Sequence, residues 1–525
     1  MAKKTRRSSD RLSLNPSVHR TIVREFTGLL EPLLDEHFRI KYLSEEWLSK
    51  INEADGSVTP LERRSAAIEK WLRTEERNER TNQRLLLETT SIAGVSTDLL
   101  FETASRFVSE IIGVEPPEEI WSFGRFSGGA STSRTRLAGR SAQKFRDTAD
   151  ITQAALPYFP KYSEGLVEML DADKYRIVKG NVLFTVPKNA LIDRVACKEP
   201  DYNMYLQLAV GGYIRSRLKR VGIDLNDQTR NGLLAREGSI TDQLATVDLS
   251  SASDSITISL VNRLLPPDWF ILLDNLRSQF TEIDGELHEN HMFSSMGNGF
   301  TFELESLCFY ALVRSLNYHF GFKGTVSVYG DDIITPSQSV RYLKDWFGFC
   351  GLLFNNEKTF ETGPFRESCG MHWYNGLDVK PFYLRQPIDH VSRLIHFLNR
   401  LRAWASVGGI CDPRFYQFWK KWSKLIPSQF KGGWDCEDIS ALVSNCSPRN
   451  TLIKVSRKVT KKDFGTYLTW HNQKTISEST PFESEEQLPI EQYVIRRRRR
   501  VPDGTSSDGW DVSERPLFPQ EVMST

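Results

Sequence analysis

The tetrapeptide Tyr329-Gly330-Asp331-Asp332 lies between Thr325-Val326-Ser327-Val328 and Ile333-Ile334, two β-branched runs with only these four residues, one of them a glycine, to separate them. That spacing leaves room only for a tight hairpin, so it predicts two short antiparallel strands with two carboxylates at the joining turn. A hairpin tip is rigid, and Mg²⁺ needs rigid oxygen ligands. Gly-Asp turns also close hairpins that carry no chemistry, so the reading depends on what the rest of the chain supplies.

A further carboxylate is delivered in a similar way. Leu244-Ala245-Thr246-Val247-Asp248-Leu249 reads as a buried strand with Asp248 at its exposed end. The small polar cluster Ser250 to Ser255 follows, and its Asp254 either lines a sugar-sized pocket or caps a helix that starts near Ile256. Next, Ser294-Ser295-Met296-Gly297-Asn298-Gly299-Phe300 is a Gly-rich turn opening a helix with Leu304, Leu307, Cys308, Ala311 and Leu312 on one face. A dinucleotide-binding fingerprint fails, because its third glycine would fall at Phe302. What remains is a helix N-terminus with free N–H groups able to meet an anion. The order strand, helix, strand, strand predicts an α+β fold with a split βαβ sheet that sets Asp248 beside Asp331.

Asp248, Asp331 and Asp332 on one sheet edge would repel one another unless cations neutralise them. Two Mg²⁺ about 3.5–4 Å apart are the usual solution for in-line phosphoryl transfer. One ion would activate an attacking 3′-hydroxyl and the other would hold a triphosphate and its leaving pyrophosphate. Lys188 in Val186-Pro187-Lys188-Asn189, with Arg194 and Lys198, offers three cations at spacings suited to a turn or strand pair, though the same residues also make an ordinary solvated face. Lys358, within Asn355-Asn356-Glu357-Lys358-Thr359-Phe360, is a candidate proton donor to the pyrophosphate, or plain surface charge.

A chain of 525 residues with 39% hydrophobic content supports several packed units, and its 68 Lys+Arg against 67 Asp+Glu neither support nor exclude a nucleic-acid partner. The cysteines are scattered without a C-x-x-C pair, which suits a reducing cytosol and argues against structural zinc. The basic start, Met1 to Ser9, has no apolar segment after it, and no window reads as a membrane span. The first 110 or so residues read as charged helices, with Leu29, Leu30, Leu33 and Leu34 at helical spacing; Phe126 to Arg136 reads as a flexible basic loop; 389–426 returns to helix, with Leu394, Leu398 and Leu401 on one face.

Taken together, Val186-Pro187-Lys188-Asn189, Gly222 to Gln228, Thr246 to Asp254, Ser295-Met296-Gly297-Asn298-Gly299, Tyr329-Gly330-Asp331-Asp332, Gly363 to Gly370 and Val379-Lys380-Pro381-Phe382-Tyr383 closely resemble, in order, the replicase β subunits of the single-stranded RNA bacteriophages, the levivirus family of RNA-directed RNA polymerases. The resemblance implies a right-hand polymerase: a helical region 1–110 joined to the fingers, fingers 111–233, a palm 234–366 with the split sheet, a helical thumb 367–430, and a charged region 431–525 whose Arg496 to Arg500 run suits RNA phosphates or a basic tail. It gives Asp248, Asp331 and Asp332 the metal-ligand role, and sets Lys188, Arg194 and Lys198 over the incoming triphosphate. Ser295, Gly297 and Asn298 join the nucleotide site, where Asp254 and Asn298 sense the ribose 2′-hydroxyl. It further implies primer-independent copying of a phage genome with two Mg²⁺ in the cytoplasm of an infected bacterium. The partners implied are the RNA template, nucleoside triphosphates, host elongation factors Tu and Ts and a host ribosomal protein. Two alternatives stay open: a reverse transcriptase-like polymerase, against which Asp254 speaks because a bulkier residue usually fills the space under a deoxyribose, and a non-catalytic RNA-binding protein.

Overall fold

The computed structural model describes residues 12–51, 58–136, 148–163, 175–189, 191–407, 410–433 and 441–444, short runs within 137–147 and 434–440, and the backbone of two strands, Asn450–Arg457 and Ile490–Arg497. The Arg496 to Arg500 run and the basic start lie outside the residues whose side chains are described. Elements used below are α1 (Pro16–Leu30), α2 (Phe38–Glu46), α3 (Pro60–Leu87), α4 (Thr97–Ile112), β1 (Asn181–Pro187), β2 (Asp193–Lys198), α5 (Asp201–Arg220), α6 (Thr229–Thr241), β3 (Leu244–Val247), α7 (Thr301–Phe320), β4 (Ser327–Tyr329), β5 (Asp332–Pro336), β6 (Phe365–Ser368), β7 (Met371–Tyr374), α8 (Val391–Trp404) and α9 (Pro413–Trp422). Helices and small, mainly antiparallel sheets make this an α+β fold.

The central sheet has the order β4-β5-β3, with Tyr329 opposite Asp332 and Ile333 opposite Val247. Both neighbouring pairs are antiparallel, so β3 and β4 run parallel with β5 between them and α7 in the connection. Every residue of β3 is buried, and so are Ile333 and Ile334 of β5, which explains the apolar runs. α7 is buried on nearly every side, because it runs through the largest core together with residues of α4 and α5. The start of β3 is held by Arg366 of β6, a fully buried guanidinium that donates to Leu244 O at 2.7 Å, to the carbonyls of Glu361, Gly363 and Phe365, and to Asp242.

Hairpin β1/β2 is tied to the same core through Glu199, a buried carboxylate accepting from Asn181, Gln207 and Ser278. The loop read as flexible is instead pinned. Ser131 and Ser133 each donate to Asp201 at 2.5 Å, and Thr132 donates to Asp150, so short hydroxyls fix a Gly-rich segment that has no helix of its own.

The helices of the first 110 residues divide between two cores. α3 and α4 pack on the sheet and hairpin side, whereas α1 and α2 share a second core with Phe382, α8 and α9. Phe26 sits at its centre, against Trp47, Phe382, Phe397, Phe415 and Phe418. The leucine repeat of residues 29–34 does not form one helix: α1 stops at Leu30, and Pro32 shapes the short 3₁₀ turn that follows. Leu394, Leu398 and Leu401 are fully buried on one face of α8, as their spacing predicts.

Candidate active site

One cleft of about 470 Å³ gathers groups from six places in the chain: Lys70 and Trp71 of α3, Lys188 and Arg194 at the β1/β2 hairpin, Asp248 to Asp254 after β3, Glu305 of α7, Asp331 at the β4/β5 turn, and Asn355 with Lys358. Asp331 arrives there because Gly330 and Asp331 form a two-residue turn. Gly330 adopts φ +60, and a Cβ on it would run into the Phe302 ring and the Glu305 carboxyl.

The acids sit against one another. Asp248 accepts from Asn355 Nδ2 at 2.9 Å and lies 3.9 Å from Lys358 Nζ; desolvation, with Asp331 nearby, holds its carboxyl above the usual range. Asp332 is pushed up to about 6 by desolvation and by Asp331 and Asp248, although the Cys369 N–H and the Ser368 hydroxyl favour its charged form. It turns toward Ser368, 3.2 Å away, and does not line the cleft. Asp254 is pushed up to about 7 by desolvation and by Glu75. Glu305 is raised well above a normal carboxyl by desolvation, then by Asp331, Asp254 and Glu303. Desolvation acts to lower Lys358, but Glu367, Asp248, Asp332 and Asp331 outweigh it, so its ammonium holds its proton more firmly than usual. A proton donor to pyrophosphate at this position works against that field.

Clustered, partly desolvated hard-oxygen acids are the donor set a divalent cation relieves. Among the described residues no three His, Cys, Asp or Glu side chains stand close enough to form a ready cage. Asn355 and Lys358 engage Asp248 while Ser368 engages Asp332, so an ion would have to displace or rearrange these partners.

Other residues expected at the site are placed elsewhere. Lys198 sits at the far end of its hairpin, opposite Val182, whereas Arg194 pairs with Val186 beside Lys188. The spacing of the three cations did not show that two strand ends separate them. Ser295 is buried behind the cleft wall, where it accepts from Asn181 and donates to Glu199. Gly297, at φ +120, is required by close packing on the Cys197 carbonyl. Asn298 is also buried, with its Oδ1 taken by Phe300 N–H and its Nδ2 without a partner. The start of α7 is not a free anion site. Gly299 N–H donates to Gln207, Phe300 N–H to Asn298, and the first turn carries Glu303 paired with Arg215. Nor is Asp254 the helix cap, since Thr257 caps Ile258–Leu264.

Lys70, Trp71, Glu305 and Asn355 were not expected in the cleft. Glu305 had a signal, since two acids in an otherwise apolar buried helix call for a reason. Lys70 had none, being one of many charges in a polar helix.

Comparison with known proteins agrees with this geometry. The family model described as RNA replicase, beta-chain, matches residues 10–507. The RNA-directed RNA polymerase beta chain of Enterobacteria phage fr is 41% identical over 81% of this chain and 79% of its own length. That of Escherichia phage MS2 is 41% identical over 80% and 78%. The corresponding beta subunit of Escherichia virus Qbeta is 42% identical over 75% of this chain and 67% of its own. By its cleft, its split sheet and these matches, the chain belongs to the RNA replicase beta-chain family, an RNA-directed RNA polymerase of RNA phages.

Proposed function

We propose that this replicase joins ribonucleotides by a two-Mg²⁺ mechanism in which Asp248 and Asp331 hold the ions in the cleft and Asp332 adds its charge from the rim. Divalent-metal use is general to the family. The observation that carries the proposal is the meeting of Asp248 and Asp331 in one cleft that Lys188 and Arg194 also line. When bound, the ions would lower the pKa of the attacking 3′-hydroxyl and offset the charge of the departing pyrophosphate. Lys188 and Arg194 supply positive charge to the triphosphate, and Asp254 faces the ribose side of the cleft. Lys358 orients Asp248 and balances its charge. In the right-hand layout, residues 234–366 are the palm, the elements before them mainly fingers, and α8 and α9 part of the thumb. We extend the same proposal to primer-independent genome copying in the bacterial cytoplasm with host elongation factors Tu and Ts and a ribosomal protein; no helix of the described residues is long and apolar enough to cross a membrane.

The test is incorporation of labelled ribonucleotides on single-stranded RNA by the full-length chain, alone and with bacterial extract. Asp331→Asn or chelation of divalent ions should remove synthesis, with RNA binding retained. Wild-type rates in Asp331→Asn would overturn the metal assignment.

A further inference from the structure

Helix α3 brings a cation to the cleft that no motif pointed to. Arg63 pairs with Asp193 of β2 at 3.3 Å, and Ala67 and Trp71 pack with Leu183, Val195 and Cys197 of the hairpin. These contacts fix the hairpin-facing side of α3 over two turns, and Lys70 falls on that side, exposed within the cleft. The helix start is locked by a Thr59/Glu62 capping box and Pro60, so Lys70 stands on a rigid element.

Lys70, Lys188 and Arg194 thus line one cleft, with Lys70 and Arg194 both close enough to act on Lys188, and among the described residues none of them is ion-paired with a carboxylate. Their repulsion registers at Lys188, which partial desolvation, Arg194, Lys70 and Lys358 together hold below its usual pKa. Like charges gathered this way destabilise the protein by themselves and are relieved by an anion that bridges them. Asp248 lines the same cleft and is close enough to act on Lys188, so an anion seated on these cations would lie beside the acidic groups.

We propose that Lys70 binds the triphosphate of the incoming ribonucleotide together with Lys188 and Arg194. The inference rests on the reading of this cleft as the nucleotide site. A backbone phosphate of RNA shares the chemistry, and the experiment separates the two sources.

KM and kcat for each nucleoside triphosphate, inhibition by inorganic pyrophosphate, and the Kd for template RNA are measured for Lys70→Ala, Lys70→Arg and Lys188→Ala in the full-length chain. Lys70→Ala is expected to raise KM for all four nucleotides on the order of tenfold, with kcat changed less than about threefold. Pyrophosphate inhibition should weaken in parallel, RNA affinity should stay unchanged, and Lys70→Arg should recover most of the KM. Unchanged KM and pyrophosphate inhibition overturn the proposal, as does weaker RNA binding with KM intact. If Lys188→Ala raises KM and Lys70→Ala does not, this inference alone fails; if neither does, the placement of the triphosphate in the cleft fails with it.

Discussion

At the scale of single residues, the groups that matter most for stability are polar and buried. Arg366 gives five hydrogen bonds, four of them to main-chain carbonyls around the start of β3. Arg366→Met keeps the bulk but leaves those carbonyls without donors, and should cost about 3–5 kcal/mol, read as a lower urea midpoint. His372, bonded to the Tyr42 hydroxyl, is pushed down to about 3 by burial and by Lys380, Lys50 and Lys358. Below about pH 6.5 the unfolded chain therefore binds a proton that the folded one refuses, so acid weakens the fold. Between pH 6.5 and 5 the histidine should remove about 2 kcal/mol, and urea midpoints of His372→Gln should fall less steeply over that window; parallel curves would refute this. The positions of Asp248 and Asp331 were legible because short apolar, β-branched runs that end at turn residues advertise buried strands. For Ser295 and Gly297 the sequence could say less, because a motif reports that a residue is constrained, not whether a ligand or the Cys197 backbone constrains it.

At the scale of elements, the hairpin and the β3-α7-β4-β5 order followed from patterns local in sequence, and the structure has them in that form. The part played by α3 did not, since its contacts with the site loops are distant in the chain. Asn78 of α3 donates to the Asp254 carbonyl at 2.7 Å and to Glu75, which in turn accepts from the main-chain N–H groups of His291 and Met292. Arg77 reaches the Ser255 hydroxyl. One helix thereby sets the position of the loop that carries Asp254. Asn78→Ala should relax the preference for ribo- over deoxyribonucleotides several-fold while RNA affinity is unchanged, measured by competing nucleotides on one template; a preference equal to wild type would remove α3 from sugar selection.

For the whole molecule, the two largest cores among the described residues are interleaved along the chain, and its first two helices, α1 and α2, belong to the core that is completed last. Phe26→Ala should cost about 3–5 kcal/mol and loosen α9 as well as α1. Trypsin should then cut after Lys420 and Lys421 sooner than in wild type; cleavage confined to the region around Phe26 would show that the two ends are independent. The same arrangement sets a timetable for synthesis. A ribosome makes Phe26 and Trp47 long before Phe382, Phe397 and Phe418, and at about 5–20 residues per second the wait is on the order of half a minute. During that interval the aromatic faces of α1 and α2 have only each other, through Phe26 and Trp47, so the leading end of the nascent chain carries apolar surface that its later helices have yet to cover. A chain that stops before α9 never receives Phe415 and Phe418, so the side of Phe26 that they cover stays open.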